Sequence, residues 1–267
     1  MRLSVIIPTK DRPQEVLSCL ASIYEHSPHV EEVVVVDQSS PRYDLPAHPS
    51  LVHLYDPNLS GASAARNAGA AAAKGELLLF MDDDCLFRND AVSAIVAAFD
   101  AHPDAAGVQA RIVDQDFVPT PLSSRIFEHG FFDTNTYGAP DDMRRMAGAG
   151  CAYRASLFAH EQFDESLAGY SYGEDYDLAL RARRWGKLVL AQEAVVEHAA
   201  SNQNRFDRLR AFQTRWKNLN YLYAKHRPHT PPSDRFWHLW WALGETLQWL
   251  RFGLGLPRSP NRSTSEG

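Results

Sequence analysis

The chain has 267 residues, of which 45% are hydrophobic and 11% aromatic, so it can bury a full core and is not intrinsically disordered. Its formal net charge is −6, and we expect no nucleic-acid partner. The N-terminus has the pattern of a first strand rather than a signal peptide, and no stretch approaches the roughly 20 apolar residues of a membrane span. Three cysteines without metal or redox spacing (Cys19, Cys85 and Cys151) predict a reducing compartment and a cytoplasmic location.

In the first half of the chain, short apolar runs alternate with helical patterns. The runs predict buried strands at residues 3–7, 33–36, 51–55 and 76–81. Helices are predicted from Pro13, from a cap at Ser60 to Ala73, and at residues 89–100. Residues 33–36 are all valine, which suits a strand of a parallel sheet that is covered on both faces. This alternation predicts a doubly wound α/β sheet.

The second half of the chain is less regular. Prolines and glycines predict a loop-rich segment at 112–146, and order returns at 146–154. A helix at 175–185 with Gly186 as its stop precedes strands near Leu188 and Val195. The chain is then predicted to be mostly helical at 205–223, with a proline-containing linker and a last helix at 235–252.

The most informative feature is the triplet Asp82-Asp83-Asp84, which directly follows the apolar run 77–81. Adjacent carboxylates raise one another's pKa unless a cation lies among them. The triplet therefore indicates a hard divalent metal with oxygen ligands. Phosphate oxygens could complete its coordination shell. The alternative is a cap for the helix predicted near Asn89, although one aspartate would be enough and the triplet lies upstream.

Polar residues also follow two other predicted strands, at Pro8-Thr9-Lys10-Asp11 and at Asp37-Gln38-Ser39-Ser40. Ligands of doubly wound sheets bind beyond the carboxyl ends of the strands. We therefore expect these groups and the aspartate triplet to converge on one edge of the sheet.

Four segments, in this order and spacing, resemble family-2 glycosyltransferases with the GT-A fold. They are SVIIPTKDRP, VVVVDQSS, NLSGASAARNAGAAAAKGELLLFMDDDC and FDESLAGYSYGEDYDLALRARRWG. The resemblance covers about residues 3–200. It implies a mixed, mainly parallel sheet flanked by helices at 1–204, divided into a nucleotide-binding half (1–111) and an acceptor and catalytic half (112–204). A helical appendage (205–256) and a disordered tail (257–267) would follow.

The resemblance also implies an activity, namely inverting, metal-dependent transfer of a sugar from a nucleotide diphosphate-sugar to a hydroxyl of a glycan, glycolipid or other acceptor. Pro8, Thr9 and Asp11 would line the nucleotide site, and Asp37 would accept a hydrogen bond from the base. The alternative for Asp37 is to begin the turn before Ser-Ser-Pro. Arg66 would help to hold the nucleotide, whereas an isolated helix arginine is usually a surface residue.

By the same resemblance, Asp83 would contact the ribose and Asp84 would bind Mn²⁺ or Mg²⁺, while Asp82 would position the metal or its waters. His198 would be a further metal ligand, although it could equally be a packed histidine at a strand end. The glycine segment around Gly150 would let the backbone approach the donor sugar.

The pair Glu174-Asp175 opens a predicted helix, where the positive end of the helix dipole favours negative charge. The resemblance makes Asp175 the general base and gives Glu174 the task of orienting acceptor or sugar hydroxyls. The alternative is an acidic helix cap, which is geometrically compatible with catalysis. For Asp177 we expect a capping or solvent-facing position.

The C-terminal segment is basic and rich in tryptophan. Residues 205–267 contain 11 Lys/Arg and 4 Asp/Glu, a formal charge of +7. Four tryptophans lie within the predicted helix 235–252 (Trp237, Trp240, Trp241 and Trp249). This helix could lie on the inner face of the cytoplasmic membrane, pack on the catalytic body, or join a second protomer in a homo-oligomer.

Two other functions fit part of the pattern. A sugar nucleotidylyltransferase has a similar sheet, but a glycine-rich loop with Arg or Lys usually follows its first strand, where this chain has Pro8-Thr9-Lys10-Asp11. A non-catalytic nucleotide- or glycan-binding scaffold need keep neither Asp84 nor Asp175.

Overall fold

The computed structural model describes residues 1–114, 138–139, 141–143, 146–167, 171–198 and 208–226. The chain divides into two compact units, one formed by residues 1–117 and 136–207 and the other by residues 118–135 and 208–267. The first unit contains the main sheet and every residue predicted for the functional site.

Eight strands form one twisted layer at the centre of the first unit. These strands are β1 (Leu3–Thr9), β2 (Glu32–Asp37), β3 (Leu51–Tyr55), β4 (Leu77–Phe80), β5 (Cys85–Phe87), β6 (Ala105–Asp114), β9 (Cys151–Arg154) and β10 (Lys187–His198). A separate short pair is formed by β7 (Gly138–Ala139) and β8 (Asp142–Met143). The order across the sheet is β3-β2-β1-β4-β9-β6-β10-β5.

The sheet is mixed and mainly parallel. Strands β1 to β4 run parallel to one another, and β6 runs parallel to β10. Strand β9 is antiparallel to both β4 and β6, and β5 is antiparallel to β10 at the sheet edge. Because β4 and β6 are both antiparallel to β9, the carboxyl ends of β1, β2, β4, β6 and β10 lie along one edge of the sheet.

Helices cover both faces of this sheet. They are α1 (Pro13–His26), α2 (Ala62–Ala72), α3 (Ala91–Ala101) and α4 (Glu174–Ala182), while α5 (Arg208–His226) belongs to the second unit. One core cluster contains Ile23 of α1 and Ile95 of α3, and the other contains Ala65 of α2 and Leu178 of α4. A fully covered sheet explains why its central strands are continuous apolar runs rather than alternating ones.

Helix α2 packs very closely on the sheet because it is made of small residues. A Cβ atom on Gly69 would lie 2.4 Å from Cγ2 of Ile6 and 3.1 Å from Cγ2 of Val36. The alanine-rich composition of this helix thus brings Arg66, on the same helix, near to the ends of the central strands.

Most of the predicted elements are present, with four corrections. The cap residue of α2 is Gly61 in the left-handed region (φ 88°), not Ser60, and no side chain caps that end. Strands β5 and β6 and the short pair β7–β8 are not among the predicted strands, because their sequences are short or interrupted by glycine. Helix α4 ends at Ala182 rather than at Trp185.

The fourth correction concerns β10, which is one strand with an irregularity between Ala191 and Val195 rather than two separate strands. The predicted helix 235–252, the linker before it and the disordered tail lie outside the described residues. Within the described chain, none of the helices is long and apolar enough to cross a membrane.

Candidate active site

The predicted site residues converge on the edge of the sheet where the parallel strands end. Thr9 ends β1, Asp37 ends β2, the aspartate triplet follows β4, and His198 ends β10. Helix α4 begins with Glu174 and Asp175 and faces the loop 147–150. The expected convergence is therefore present, since parallel pairing places these strand ends side by side.

Asp83 is held by the β1 end of the site. Its Oδ2 accepts a hydrogen bond from Oγ1 of Thr9 at 2.7 Å, and its Oδ1 accepts one from Nη1 of Arg12 at 2.6 Å. The residue is only 3% exposed, and this burial raises the pKa of Asp83 to about 7, although Arg12 and Thr9 act in the opposite direction. Asp83 is thus an inward-facing carboxylate in this structure.

Asp84 lies between two nitrogen groups. Its Oδ2 accepts a hydrogen bond from Nη2 of Arg12 at 2.9 Å, and its Oδ1 lies 3.4 Å from Nε2 of His198. Burial alone would raise the pKa of Asp84, but hydrogen bonds from His198 and Arg12 lower it to about 2. Asp82, Asp84, Cys85 and His198 each place one potential ligand atom within 4.8 Å of the others.

Arg66 connects the triplet to the start of α4. Its guanidinium donates to Oε1 of Glu174 through Nη1 and to Oδ1 of Asp82 through Nη2, the latter at 2.7 Å. Burial opposes its charge, yet the carboxylates of Glu174 and Asp82 raise the pKa of Arg66 above its usual value. Arg66 is 2% exposed, so the surface alternative for this residue is wrong.

The two acidic residues of α4 have different surroundings. Asp175 is partly exposed; its Oδ2 accepts from the backbone N–H of Gly148 at 2.8 Å and its Oδ1 from that of Tyr176 at 2.7 Å. Glu174 is buried, and burial raises its pKa to about 8 although Arg66 limits the rise. Helix α4 follows Gly173, which adopts a left-handed conformation (φ 91°) that favours glycine.

Asp37 is fully buried and takes part in two contacts. Its Oδ1 accepts from the backbone N–H of Ser39 at 2.9 Å, which is the bond expected of an aspartate that begins a turn. Its Oδ2 lies 3.1 Å from Nε2 of His53. Asp11 spans the β1 and β2 ends, because its N–H donates to Oγ of Ser39 at 2.7 Å and its Oδ1 accepts from the N–H of Ser40 at 3.0 Å. Pro8 is buried within β1 beside Val36.

Gly150 supports the loop that faces Asp175. It has a φ of +75°, its N–H donates to the carbonyl of Phe80 at 2.9 Å, and its carbonyl accepts from the N–H of Ala110 at 2.8 Å. The side chain of Gln109 bonds three backbone groups of the same loop and so fixes its position, donating to the carbonyls of Ala149 and Gly150 and accepting from the N–H of Ala147.

Sequence reasoning missed three residues of this region, namely Arg12, His53 and Gln109. Arg12 follows the polar residues after β1 and could have been noticed there, whereas His53 and Gln109 lie inside strands without a distinguishing motif. Asp177 also differs from expectation, since it is fully buried and its Oδ2 pairs with Nη2 of Arg181 at 2.7 Å.

The structure also shows whether the aspartate triplet caps the helix that follows it. Helix α3 is capped by Asp90, whose Oδ1 accepts from the N–H of Ser93 at 3.2 Å. The triplet is therefore not the cap of that helix, and its carboxylates instead meet Thr9, Arg12, Arg66 and His198.

Comparison with known proteins gives a family match and several relatives. A family model described as "Glycosyl transferase family 2" matches residues 4–161. The uncharacterized glycosyltransferase YwdF of Bacillus subtilis is 26% identical over 251 residues, which is 88% of this chain and 88% of that protein. An uncharacterized glycosyltransferase of Haemophilus influenzae is 29% identical over 136 residues, which is 48% of this chain and 42% of the relative.

A third relative is the glucosyl-dolichyl phosphate glucuronosyltransferase of Haloferax volcanii. It is 24% identical over 214 residues, which is 73% of this chain and 62% of the relative. The matched segment thus spans less than two thirds of two of these three proteins.

Solved structures are similar in fold. The mannosyltransferase PcManGT from Pyrobaculum calidifontis in complex with GDP-Man and Mn²⁺ has a TM-score of 0.62 at 17% identity, over 97% of this chain and 76% of that chain. GalNAc-T7 with UDP, GalNAc and Mn²⁺ has a TM-score of 0.60 at 18% identity, over 85% and 50%. S. aureus TarS 1-349 in complex with UDP-GlcNAc has a TM-score of 0.58 at 20% identity, over 84% and 66%.

Proposed function

The chain belongs to glycosyltransferase family 2, and from that premise we propose that it is an inverting, metal-dependent enzyme that moves one sugar from a nucleotide diphosphate-sugar to an acceptor hydroxyl. The family and the GT-A fold predicted from the sequence are confirmed. The observation that carries the finer proposal is the pair of hydrogen bonds that Arg66 makes to Asp82 and Glu174. It joins the aspartate triplet, where His198 lies beside Asp84, to the start of α4, where Asp175 follows Glu174.

We assign the nucleotide to the ends of β1, β2 and β4. In this assignment Asp37 accepts a hydrogen bond from the base. Because Asp37 is fully buried in this structure, nucleotide binding has to expose one of its oxygens, each of which has a second lone pair for that bond. Thr9 and Asp11 shape the base site from β1, and Asp83 serves the ribose side. The solved structures of similar fold bind UDP, UDP-GlcNAc or GDP-Man. The donor class that we propose is a nucleotide diphosphate-sugar of this kind.

The side chains around Asp84 fit Mn²⁺ or Mg²⁺ by their donor chemistry. Carboxylate oxygens of Asp82 and Asp84 and the imidazole of His198 converge, and such ligands suit these cations. A thiolate suits softer metals than Mn²⁺ or Mg²⁺, so we leave Cys85 out of the ligand set. When bound, the cation would stabilise the negative charge that develops on the leaving diphosphate.

Asp175 is the proposed general base. The backbone N–H groups of Gly148 and Tyr176 orient its carboxylate, and each oxygen keeps a lone pair for a further hydrogen bond. The acceptor oxygen forms a bond to the anomeric carbon while its proton passes to Asp175, and the electron pair of the breaking C–O bond passes to the diphosphate. Such a single displacement inverts the configuration, and a positioned base contributes about 10²–10⁴-fold.

Two residues support this step. Glu174, whose Oε1 bonds to Arg66, would orient acceptor or sugar hydroxyls, and Gly150 would allow the backbone to approach the donor sugar. We propose a cytoplasmic enzyme of polysaccharide or glycolipid synthesis that contacts the inner face of the membrane through residues 235–252.

The proposal is tested by thermal unfolding of the full chain with a panel of nucleoside diphosphates, with and without Mn²⁺. A ligand that binds only the folded state raises Tm, so one diphosphate should stabilise the wild type only when Mn²⁺ is present. Asp84→Ala should lose that stabilisation. Asp104→Ala is the matched control, because Asp104 pairs with Lys187 at the opposite edge of the sheet. Equal stabilisation of wild type and Asp84→Ala would contradict the metal assignment.

A further inference from the structure

Arg12 is the one cation that bonds two members of the aspartate triplet in the described part of the chain. Its Nη1 donates to Oδ1 of Asp83 at 2.6 Å and its Nη2 donates to Oδ2 of Asp84 at 2.9 Å. The two contacts use the two ends of the planar guanidinium fork, so a single side chain holds both carboxylates in place.

The position of Arg12 follows from the turn after β1. Asp11 has a φ of 54°, in the left-handed region, and its own hydrogen bonds to Ser39 and Ser40 keep that turn in place. The turn leads directly into α1, which begins at Pro13, so Arg12 projects back toward the residues that follow β4. Its side chain is 18% exposed, so part of it lies at the protein surface.

The two partners of Arg12 differ in how much they depend on it. Asp83 is 3% exposed, and its other oxygen bonds only a neutral hydroxyl, that of Thr9. Asp84 instead has His198 beside its other oxygen, and it belongs to the group of converging ligand atoms. A divalent cation on Asp84 would therefore replace the charge that Arg12 supplies there, but Asp83 would still need Arg12.

We propose that Arg12 is a positioning residue that serves as the internal counter-cation of Asp84 and competes with the divalent metal for it. When the metal binds, Arg12 gives up Asp84 and keeps Asp83. The inference rests on the proposed metal site and deepens it, because it makes metal affinity a property set by an arginine that is not itself a ligand. Like charges a few ångströms apart repel each other even in water, so Arg12 weakens metal binding as it preorganises the carboxylates.

The test measures Mn²⁺ binding to the full chain without nucleotide. Electron paramagnetic resonance detects the Mn²⁺ that stays free, and calorimetry gives the affinity. Arg12→Met removes the charge and should bind Mn²⁺ about tenfold more tightly than the wild type, an estimate from screened repulsion between close charges. Arg12→Lys keeps the charge and should bind within about threefold of the wild type. Lys187→Met is the control, since it removes one positive charge from the pair with Asp104 at the opposite sheet edge.

A second readout separates this function from simple structural support. Arg12→Met should lower Tm in the absence of metal, and saturating Mn²⁺ should restore much of the difference, because metal and arginine occupy the same carboxylate. A purely structural arginine would lower Tm equally with and without Mn²⁺. Arg12→Gln, which keeps two N–H donors without the charge, takes the place of Arg12→Met if that variant does not fold.

The outcomes distinguish the inference from the proposed function. Tighter Mn²⁺ binding by the neutral Arg12 variants supports the inference, including the case in which the wild type binds too weakly to detect. If the wild type binds Mn²⁺ and the neutral variants bind it equally or less tightly, the inference alone is overturned. Absence of Mn²⁺ binding in every variant, with and without nucleoside diphosphates, overturns the proposed metal site together with the inference.

Discussion

At the scale of single residues, the site is built from buried charges that are paired between distant parts of the chain. Arg12 and Arg66 each bond two carboxylates, and together they reach every member of the triplet as well as Glu174. A buried charge is costly unless it is paired. These arginines therefore let four carboxylates occupy one edge of the sheet before any ligand arrives.

The catalytic assignment predicts a specific kinetic defect. Asp175→Asn should lower kcat by about 10²–10⁴-fold, because the amide cannot take the acceptor's proton. Binding of the nucleoside diphosphate should stay within about twofold of wild type, since Asp175 bonds Gly148 and Tyr176 rather than the triplet. Steady-state kinetics and a diphosphate titration measure both quantities, with Asp104→Asn as the control. A variant that retains more than a tenth of kcat would refute the general-base assignment.

Arg66 is expected to matter first for stability. Arg66→Met leaves Glu174 and Asp82 without their shared cation, and loss of one partner of a buried pair typically costs about 3–5 kcal/mol. Urea unfolding measures this loss. Arg111→Met, at an exposed arginine, should change the free energy of unfolding by no more than about 0.5 kcal/mol. A loss below about 1 kcal/mol for Arg66→Met would mean that the pair contributes little.

At the scale of elements, the ends of helices and strands determine where the functional groups lie. Gly173 turns the chain so that α4 starts with Glu174 and Asp175 at the rim, and the small residues of α2 bring Arg66 close to the sheet. Helix α3 is different, because its start is fixed by a side-chain cap, Asp90, away from the site.

The cap of α3 provides a prediction with a defined pH dependence. Asp90→Ala should destabilise the protein by about 1 kcal/mol at neutral pH, the usual cost of losing such a cap. Burial opposes ionisation, but hydrogen bonds from Ser93 and Ser27 and the nearby His29 lower the pKa of Asp90 below its usual 3.8. A lowered pKa means that this stabilisation is present above pH 3.8 and is lost as the pH falls through the folded-state value.

Thermal unfolding of wild type and Asp90→Ala between pH 7 and about pH 2.5 measures this difference, which should shrink at the acidic end. Asp100→Ala is the control on the same helix. Asp100 lies in the last turn, where the helix dipole disfavours negative charge, so its removal should be neutral or slightly stabilising. A constant difference between wild type and Asp90→Ala across the pH range would exclude an ionised cap.

At the scale of the whole molecule, the chain combines an acidic catalytic unit with a basic C-terminal segment. Residues 205–267 carry a formal charge of +7, and the tryptophans of the predicted helix 235–252 are of the type found at membrane interfaces. The boundary predicted between residues 204 and 205 stays a prediction, as does the membrane contact.

Flotation with lipid vesicles tests that contact. The full chain should float with vesicles that contain anionic lipid at low salt and not with purely zwitterionic vesicles, because basic residues add an electrostatic attraction. Replacing Trp237, Trp240, Trp241 and Trp249 with serine should abolish flotation without loss of folding. If the wild type stays unbound to anionic vesicles, the membrane contact is wrong, and sedimentation would then test whether the helix joins two protomers.

The sequence alone determined the family, the fold class and the residues that carry the proposed chemistry. Those features depend on local patterns, such as apolar strands that end in polar residues, the aspartate triplet, and the Glu174-Asp175 pair before a helical stretch. Each pattern is read within one short segment, so no knowledge of distant contacts is needed.

Only the tertiary structure showed which groups meet. The partners of Arg66 lie 16 and 108 residues away, and those of Arg12 lie 71 and 72 residues away, so no local pattern indicates these bonds. The short β5 and the glycine-containing β6 are likewise stabilised by their sheet neighbours rather than by their own sequence. Pairing between strands distant in sequence brings the site together, because it places separate strand ends at one edge of the sheet. Arginines and carboxylates from different segments then lie close enough to pair.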